Sequence, residues 1–409
     1  MIKYAVILGD GMPDYPLDEL GGMTPLQYAH TPNMDRLARI GKTGKVVTVP
    51  ENMPPGSDVA NLSVFGYDPI RYYTGRSPIE AVAMGIELGE DDVTFRCNLV
   101  TLSENEAYEN KTMLDYSADE ISTSEAAELI EELSLSLGNQ NFAFYPGVSY
   151  RHLLVWRNAP DNLECTLTPP HDISGREIGE HLPAGKHSPA LLNFMKESNR
   201  YIAEHPVNIK RRERGSQPAN SIWLWGHGKR PYLDSFSKKY GLSGSVISAV
   251  DLIKGIGICA GLTAENVPGA TGNIKTDFSS KARCALQVLH AGKDFVYVHV
   301  EAPDEAGHRG ELETKIRAIE KIDQKVVQEI ASGLDDFPDY RLMVLSDHPT
   351  PLSIRTHTSE AVPFCIVDKG DRSQNSQNSQ GQFSEDFAAQ GMFFEQGYKL
   401  MDFFISRQR

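Results

Sequence analysis

Short apolar runs rich in β-branched residues recur along this chain, and patterns typical of amphipathic helices separate several of them. Such runs favour buried strands, because a strand covered on both faces carries few polar side chains. Their alternation with helices predicts an α/β fold with a mostly parallel central sheet and helices on both faces. The predicted strands are Tyr4–Leu8, Ser221–Trp225, Ser245–Ser248, Phe295–Val300, Arg341–Leu345 and Phe364–Val367, and the clearest helices are 31–40, 252–260, 280–291 and 311–331.

The middle of the chain departs from this alternation. Residues 94–102, 142–145 and 152–156 favour strands, and 124–137 and 187–204 favour helices. A chain of 409 residues exceeds what one hydrophobic core usually supports. The sequence therefore predicts a catalytic core from residues 1–90 and 206–409, with residues 91–205 inserted as a smaller α/β domain. The polar tract Lys369–Gln382 predicts a mobile surface loop.

Composition excludes several classes of partner. The chain has 55 acidic and 40 basic side chains and a formal net charge of −15, which disfavours nucleic acid and anionic membranes as partners. It contains no apolar stretch near the ~18 residues that span a bilayer, and its first residues lack the pattern of a signal peptide. Five scattered cysteines without a CxxC pair fit a reducing compartment. We therefore expect a soluble, cytoplasmic protein.

Two segments in the first part of the chain contain candidate ligand or catalytic residues. Asp10 follows the first apolar run between two glycines, at the strand end where parallel sheets bind ligands. Such an aspartate also serves as a cap or turn residue. Ser57 follows two prolines and a glycine and precedes a helical pattern. It fits either a helix N-cap or a nucleophile presented by a tight turn.

Two further segments follow later predicted strands. Asp304 and His308 are four residues apart, which places both on one face of a helix and suits two ligands of one metal ion. The alternative is a surface Asp–His pair. The apolar run that ends at Leu345 is followed by Ser346, Asp347 and His348, and His357 lies nine residues beyond His348. The alternative there is a solvated turn.

Taken together, these residues indicate a metal site far more specifically than any one of them does. Oxygen and nitrogen ligands without thiolates suit two divalent ions, and they give no support to a zinc-finger or iron–sulfur site. The candidate set is Asp10, Ser57, Asp304, His308, Asp347, His348 and His357.

An ordered series of motifs resembles one family over nearly the whole chain, namely the archaeal-type cofactor-independent phosphoglycerate mutases of the alkaline phosphatase superfamily. The motifs are TPLQYAHTPNMDRLARIGKTG, PPGSDVANLSVFGYDP, YYTGRSPIEA, FRCNLVTL, VPGATGNIKTDFSSKA, HVEAPDEAGH and SDHPTP. The resemblance implies an alkaline-phosphatase-like core with Ser57 as the nucleophile. It assigns one ion to Asp304, His308 and His357, and the other to Asp10, Asp347, His348 and the Ser57 oxygen.

The resemblance also implies a reaction. Ser57 takes the phosphoryl group from 3-phosphoglycerate and returns it to the 2-hydroxyl, so the partner is a small phosphorylated metabolite. The expected cofactors are two divalent ions, most often manganese with zinc or magnesium as substitutes, and no bisphosphoglycerate. Because a histidine must be neutral to bind a metal, we expect metal affinity to fall below about pH 6.

Candidate residues for the rest of the substrate come from two regions. Lys254 lies where related bacterial enzymes place an active-site lysine. In the inserted segment, Arg151, His152, His171 and Asp172 are candidates for contact with the organic part of the substrate, each with a purely structural alternative. Arg76 and Lys281 are further candidates.

The chain departs from the family in two places. Where archaeal mutases carry an arginine-rich segment of the type DRRAGRI, this chain reads LSENEAYENKTMLD, and the family's DHSTP reads DHPTP. These changes keep other functions open: homoserine kinase-like phosphotransfer in threonine biosynthesis at the same two-metal site, a phosphomonoesterase, or a non-catalytic metal-binding interaction protein. A monomer and a small homo-oligomer are both compatible with the sequence.

Overall fold

The computed structural model describes residues 2–373 and 381–406. Contacts divide the chain into two compact units, the first formed by Met1–Tyr73 with Tyr232–Arg409 and the second by Thr74–Pro231. The loop predicted within Lys369–Gln382 falls largely on residues 374–380, which lie outside the described residues. Within the described part of the chain, no helix combines the length and apolar character needed to cross a membrane.

Strands are numbered in chain order. They are β1 (Lys3–Gly9), β2 (Lys42–Val46), β3 (Val93–Leu102), β4 (Met113–Asp115), β5 (Phe142–Tyr145), β6 (Arg151–Trp156), β7 (Ser221–Lys229), β8 (Gly244–Ile247), β9 (Thr263–Glu265), β10 (Phe295–Val300), β11 (Tyr340–Leu345), β12 (Val362–Asp368) and β13 (Met392–Phe394).

Helices follow the same order. They are α1 (Pro25–Tyr28), α2 (Pro32–Ile40), α3 (Ser57–Val64), α4 (Pro69–Tyr72), α5 (Ser77–Ala83), α6 (Thr123–Leu137), α7 (Ser188–Ile202), α8 (Pro206–Glu213), α9 (Phe236–Tyr240), α10 (Asp251–Cys259), α11 (Phe278–His290), α12 (Ala302–Arg309), α13 (Leu312–Ile322), α14 (Gln328–Gly333), α15 (Glu385–Ala388) and α16 (Tyr398–Ser406).

An eight-stranded sheet in the order β13-β2-β12-β11-β1-β10-β8-β9 forms the first unit. From β11 to β9 all neighbours are parallel, whereas β12 is antiparallel to both β11 and β2. Every residue of β1, β10 and β11 is buried, as expected for strands covered on both faces. The predicted α/β class with a mostly parallel sheet is confirmed.

Alternate residues of β1 show how both faces are covered. Ile7 belongs to a core shared with Leu37 of α2 and Ile319 of α13. On the opposite face, the Tyr4 ring packs edge-on against Phe404 of α16, with centroids 5.6 Å apart. The single helix predicted over 311–331 is interrupted, because a π-helical segment at Asp323–Val327 separates α13 from α14.

The second unit contains a five-stranded sheet in which β3 pairs with β4, β6 and β7, and β5 pairs with β6, all antiparallel. This unit extends beyond the predicted bounds of 91 and 205. Ser221–Trp225 was predicted as a strand of the core, but β7 pairs with β3 along most of its length. Helix α5 also lies in this unit. Strand type was readable from the sequence, whereas strand pairing was not.

Candidate metal centre

Three neighbouring parallel strands end at the same edge of the large sheet and bring the candidate ligands together. Asp10 follows β1 directly, Glu301 follows β10, and Ser346 and Asp347 follow β11. These strands are adjacent in the order β11-β1-β10 and are parallel to one another. The carboxyl ends of parallel strands share one edge, which is where such sheets bind ligands.

Side-chain donors from these segments converge in three overlapping groups, each with its ligand atoms within 4.8 Å of one another. One group holds Asp304 with two histidines, the second holds Asp10 with Asp347 and a histidine, and the third holds three carboxylates. Their members are Asp304, His348 and His357; Asp10, Asp347 and His348; and Asp10, Glu301 and Asp304.

His308 lies at the border of the first group. Its Nε2 is 2.9 Å from His357 Nε2 and 3.3 Å from Asp304 Oδ2. Its Nδ1 lies 3.0 Å from the Arg355 carbonyl oxygen, which makes Nδ1 a donor, so the neutral ring would carry its lone pair on Nε2, the nitrogen that faces the centre. Helix α12 places Asp304 and His308 on one face, as their spacing predicted.

Ser57 is not a helix cap. It is the first residue of α3, and the N-cap position belongs to Gly56. The Ser57 Oγ instead lies 3.1 Å from His348 Nε2. The structure thus brings all seven sequence-predicted residues to one place, although they come from segments as far apart as Asp10 and His357.

Buried carboxylates dominate the electrostatics of this centre. Burial and the neighbouring carboxylates of Asp347 and Asp304 raise the pKa of Asp10 well above its usual range. Burial also opposes ionisation of Asp304, but hydrogen bonds with His308 and His357 hold the pKa of Asp304 well below its usual range. The Asp304 hydrogen bond in turn raises the pKa of His308 to about 9. Repulsion among these carboxylates is what a divalent cation would relieve.

The donor set fits such a cation. Buried carboxylates and imidazoles are common ligands for divalent metals, and these carboxylates are almost fully shielded from solvent, at 1% exposure for Asp10 and 0% for Asp347. Asp10 Oδ1 is buried and has no hydrogen-bond donor among the described residues. A buried carboxylate oxygen without a donor is costly unless a cation balances it.

Several residues that sequence reasoning missed support the ligands. Asn61 Nδ2 donates to Asp347 Oδ2 at 2.9 Å, and Tyr297 donates its hydroxyl to Asn61 Oδ1 at 2.6 Å. Thr350 donates to Asp304 Oδ1 at 2.5 Å. One signal was available: Asn61 lies four residues after Ser57, on the same face of α3. The other partners depend on tertiary packing.

Gly11 is required where β1 meets α12. Its φ is +63°, and a Cβ there would lie 2.8 Å from Asp304 Cα and 2.5 Å from Thr350 Oγ1. A residue with a side chain would therefore be strained and would push Asp304 away from Asp10.

The substrate candidates of the inserted segment are divided by the structure. Arg151 is exposed and lies over the Tyr150 ring, and His171 packs against Trp225 with ring centroids 5.3 Å apart. Asp172 is exposed, 3.6 Å from His171 Nε2. His152 does not join them: it is 2% exposed, its Nδ1 accepts from Gly147 N, and burial lowers its pKa to about 3. Adjacent residues of a strand point to opposite faces, so Arg151 and His152 separate.

The same unit contains an arginine cluster around one carboxylate. Arg96 and Arg76 both pair with Glu80, at 3.2 Å and 2.8 Å. Burial alone raises the pKa of Glu80, but Arg96, Arg76 and Arg151 together lower it below its ordinary value. Arg96 also lies over the Trp225 ring at 4.4 Å. Three guanidinium groups therefore lie within electrostatic range of the Glu80 carboxylate.

Lys254 belongs to the first unit. It lies on α10, is partly exposed, and has its ammonium 3.7 Å from Asp251. Burial lowers the pKa of Lys281 to about 8; Glu301 opposes this shift and Lys254 adds to it. Lys281 is therefore within electrostatic range of both Lys254 and Glu301.

Fold and site together define a class. This is an α/β protein in which a mostly parallel sheet carries a centre of carboxylates and histidines beside a serine hydroxyl.

Sequence comparisons narrow the class to a family. The model for 2,3-bisphosphoglycerate-independent phosphoglycerate mutase matches residues 38–208. A Geobacter sulfurreducens protein described as a probable mutase of this kind is 53% identical over 99% of this chain and 100% of its own length. A Methanothrix thermoacetophila mutase is 51% identical, covering 90% of this chain and 91% of its own. The chain belongs to the 2,3-bisphosphoglycerate-independent phosphoglycerate mutases, which are isomerases acting on a small phosphorylated metabolite.

Solved structures agree with this assignment. A Pyrococcus horikoshii protein superposes with a TM-score of 0.81 at 28% identity, covering 100% of this chain and 98% of its own. A cofactor-independent phosphoglycerate mutase from Thermoplasma acidophilum superposes with a TM-score of 0.66 at 25% identity, covering 100% of both chains. The family resemblance drawn from the motifs is confirmed.

Proposed function

We propose that this chain interconverts 3-phosphoglycerate and 2-phosphoglycerate by passing the phosphoryl group through Ser57. The observation that carries the proposal is the position of Ser57 Oγ, 3.1 Å from His348 Nε2 at the edge of the buried carboxylates, rather than in a capping hydrogen bond. The relatives from Geobacter and Methanothrix, which are named as mutases, match this chain over nearly their whole length, and this supports the same reaction. No observation above favours homoserine as the acceptor.

Two divalent ions, with manganese as the expected metal, would be held by the seven candidate residues. When bound, such ions lower the pKa of a coordinated hydroxyl and stabilise the attacking and leaving oxygens of a displacement at phosphorus. Support comes from the donor chemistry and from the unsatisfied Asp10 Oδ1. The proposed ligands are Asp304, His308 and His357 for one ion, and Asp10, Asp347, His348 and Ser57 for the other.

The phosphoryl group is transferred in two steps. Ser57 Oγ gives up its proton and attacks phosphorus, the bond between phosphorus and the 3-oxygen of glycerate breaks, and that oxygen takes up a proton. The bound glycerate then reorients. Its 2-hydroxyl loses a proton and attacks the phosphoserine, and Ser57 Oγ is protonated again as the new ester forms. No phosphate is lost to water if the site excludes it during the reorientation.

The carboxylate end of the substrate is proposed to bind at the arginine cluster of Arg76, Arg96 and Arg151. Guanidinium groups bind carboxylates with two parallel hydrogen bonds, and three of them lie within electrostatic range of Glu80 in this cluster. His171, with Asp172 beside it, lines the Trp225 side of the same cluster.

Two further candidates complete the proposal. Lys254 is proposed as a point charge for the phosphate, since it lies within electrostatic range of Lys281, whose neighbour in turn is Glu301. His152 is left out because its ring is buried.

A ³¹P NMR time course with 3-phosphoglycerate and Mn²⁺ tests the proposal. Wild-type protein is expected to produce the 2-phosphoglycerate resonance, and Ser57→Ala is expected to lose this conversion while keeping the fold. Ser235→Ala is the matched control, since Ser235 is a serine that does cap its helix, and it should convert at the wild-type rate. Conversion by Ser57→Ala would reject the nucleophile. Release of inorganic phosphate alone by the wild type would reject the mutase reaction and direct the search to other acceptors.

A further inference from the structure

The mechanism above does not use His299, a buried histidine beside the candidate metal centre. His299, the second-last residue of β10, is 0% exposed and pairs with Leu8 in the register between β10 and β1. Its Nε2 lies 3.0 Å from Asp10 Oδ2, and its Nδ1 lies 3.2 Å from Ser248 Oγ. Ser248 follows β8 directly, so three adjacent strands in the order β1-β10-β8 each contribute one member of this row.

Hydrogen-bond partners assign the direction of each bond in the row. Val250 N donates to Ser248 Oγ at 3.0 Å, which occupies one acceptor position and leaves the serine hydroxyl proton for His299 Nδ1. As a metal ligand Asp10 is ionised and its carboxylate accepts only, so in that state His299 Nε2 carries the proton and donates to Oδ2. The row therefore fixes a single neutral tautomer of His299.

His299 is also held through its backbone. Lys281, itself fully buried, donates its ammonium to the His299 carbonyl oxygen at 3.0 Å. This contact helps to fix the position of the His299 ring, whose Nε2 faces Asp10.

The two oxygens of Asp10 are thus in different environments. Oδ2 accepts from His299, whereas Oδ1 has no donor among the described residues and lies 3.6 Å from His348 Nε2, within a candidate metal group. A donor that holds one carboxylate oxygen directs the other, as partners of metal ligands commonly do.

We propose that His299 and Ser248 are positioning residues that orient Asp10 so that Oδ1 faces the metal. The inference rests on the proposed function, because it takes Asp10 as a ligand of one of the two ions. It adds a specific claim: the hydrogen bond from Nε2, and not merely the volume of the ring, sets metal affinity.

Calorimetric titration of the full-length protein with Mn²⁺ tests this claim. His299→Leu is expected to lose about 10- to 100-fold in affinity for one of the two ions and to leave the other unchanged. His299→Gln, whose amide N–H reaches about the position of Nε2, is expected to keep most of the affinity. Ser248→Ala should lie between them, because it releases the constraint on the tautomer, and excess Mn²⁺ should restore turnover to His299→Leu.

His152→Leu is the matched control, since it also removes a buried strand histidine but lies outside the centre. It should bind both ions as the wild type does. Wild-type affinity in His299→Leu would overturn the proposal, as would equal losses in His299→Leu and His299→Gln, which would indicate packing alone. If His299→Leu does not fold, Ser248→Ala and His299→Gln still decide it. A wild-type protein that binds no Mn²⁺ would instead refute the two-metal function itself.

Discussion

Individual side chains at this centre have properties that their residue types do not predict. His308 is an example, because the Asp304 hydrogen bond raises its pKa to about 9, above the ordinary histidine value. The sequence alone predicted that metal affinity falls below about pH 6. With the raised pKa of His308, the loss of metal affinity is expected to begin at a higher pH, because a proton bound to His308 competes with the metal at neutral pH.

We therefore expect Mn²⁺ binding at pH 7 to release about one proton from His308, and affinity to weaken steadily as the pH falls from about 9. The sign follows from the raised pKa, since lower pH fills the imidazole lone pair that the metal needs. Calorimetry in buffers of different ionisation enthalpy measures the released proton, with His308→Asn as the comparison. Binding without proton release at pH 7 would show that His308 is already neutral.

The convergence of the candidate ligands was predictable from their positions along the chain. Asp10, Asp304, Asp347 and His348 all lie just after apolar runs, so their convergence at one sheet edge was readable from the sequence. His152 shows the limit, because Arg151 at the start of β6 is exposed whereas the next four residues are all buried, and the sequence does not say where along the strand burial begins.

At the scale of elements, the arginine cluster depends on pairings that cross the sequence. Arg96 comes from β3, Arg76 precedes α5, and Trp225 comes from β7, which pairs with β3. The strands themselves were predicted from their composition, but β7 was assigned to the wrong domain, so the cluster was not foreseen. Local pattern determines element type, whereas pairing depends on long-range contacts.

Arg96→Gln is expected to raise KM for 3-phosphoglycerate by about tenfold or more with little change in kcat, since a charge-assisted hydrogen bond is worth about 1.5–3 kcal/mol. The carboxylate end does not react, so its binding is the same in the ground and transition states. Steady-state kinetics measure this split.

Arg157→Gln is the matched control for that experiment. Arg157 pairs with Asp92 at 2.6 Å in the same unit, away from Glu80. Its loss should affect stability rather than KM. An unchanged KM in Arg96→Gln would remove the cluster from the substrate site.

At the scale of the molecule, the proposed metals connect distant parts of the chain. The ligands follow β1, begin α3, lie on α12 and follow β11, so bound ions would join segments that the sheet alone brings near one another. The similarity to the Geobacter relative extends over 99% of this chain, and so over all of these segments.

Metal binding should therefore stabilise the folded chain. At a free Mn²⁺ concentration 100-fold above Kd, one site contributes about 2.7 kcal/mol to the free energy of unfolding. Differential scanning calorimetry is expected to show a higher Tm with Mn²⁺ than with EDTA. Equal Tm values at saturating Mn²⁺ would contradict metal binding to the native state.

The central claim is that Ser57 carries the phosphoryl group, and trapping that group tests it most directly. Wild-type protein turning over 3-phosphoglycerate with Mn²⁺ is quenched in acid, and its peptides are mapped by mass spectrometry. Phosphate is expected on Ser57 in the wild type and on no peptide of Ser57→Ala. Steady turnover with phosphate on a different residue, or with no phosphorylated peptide at any quench time, would contradict it.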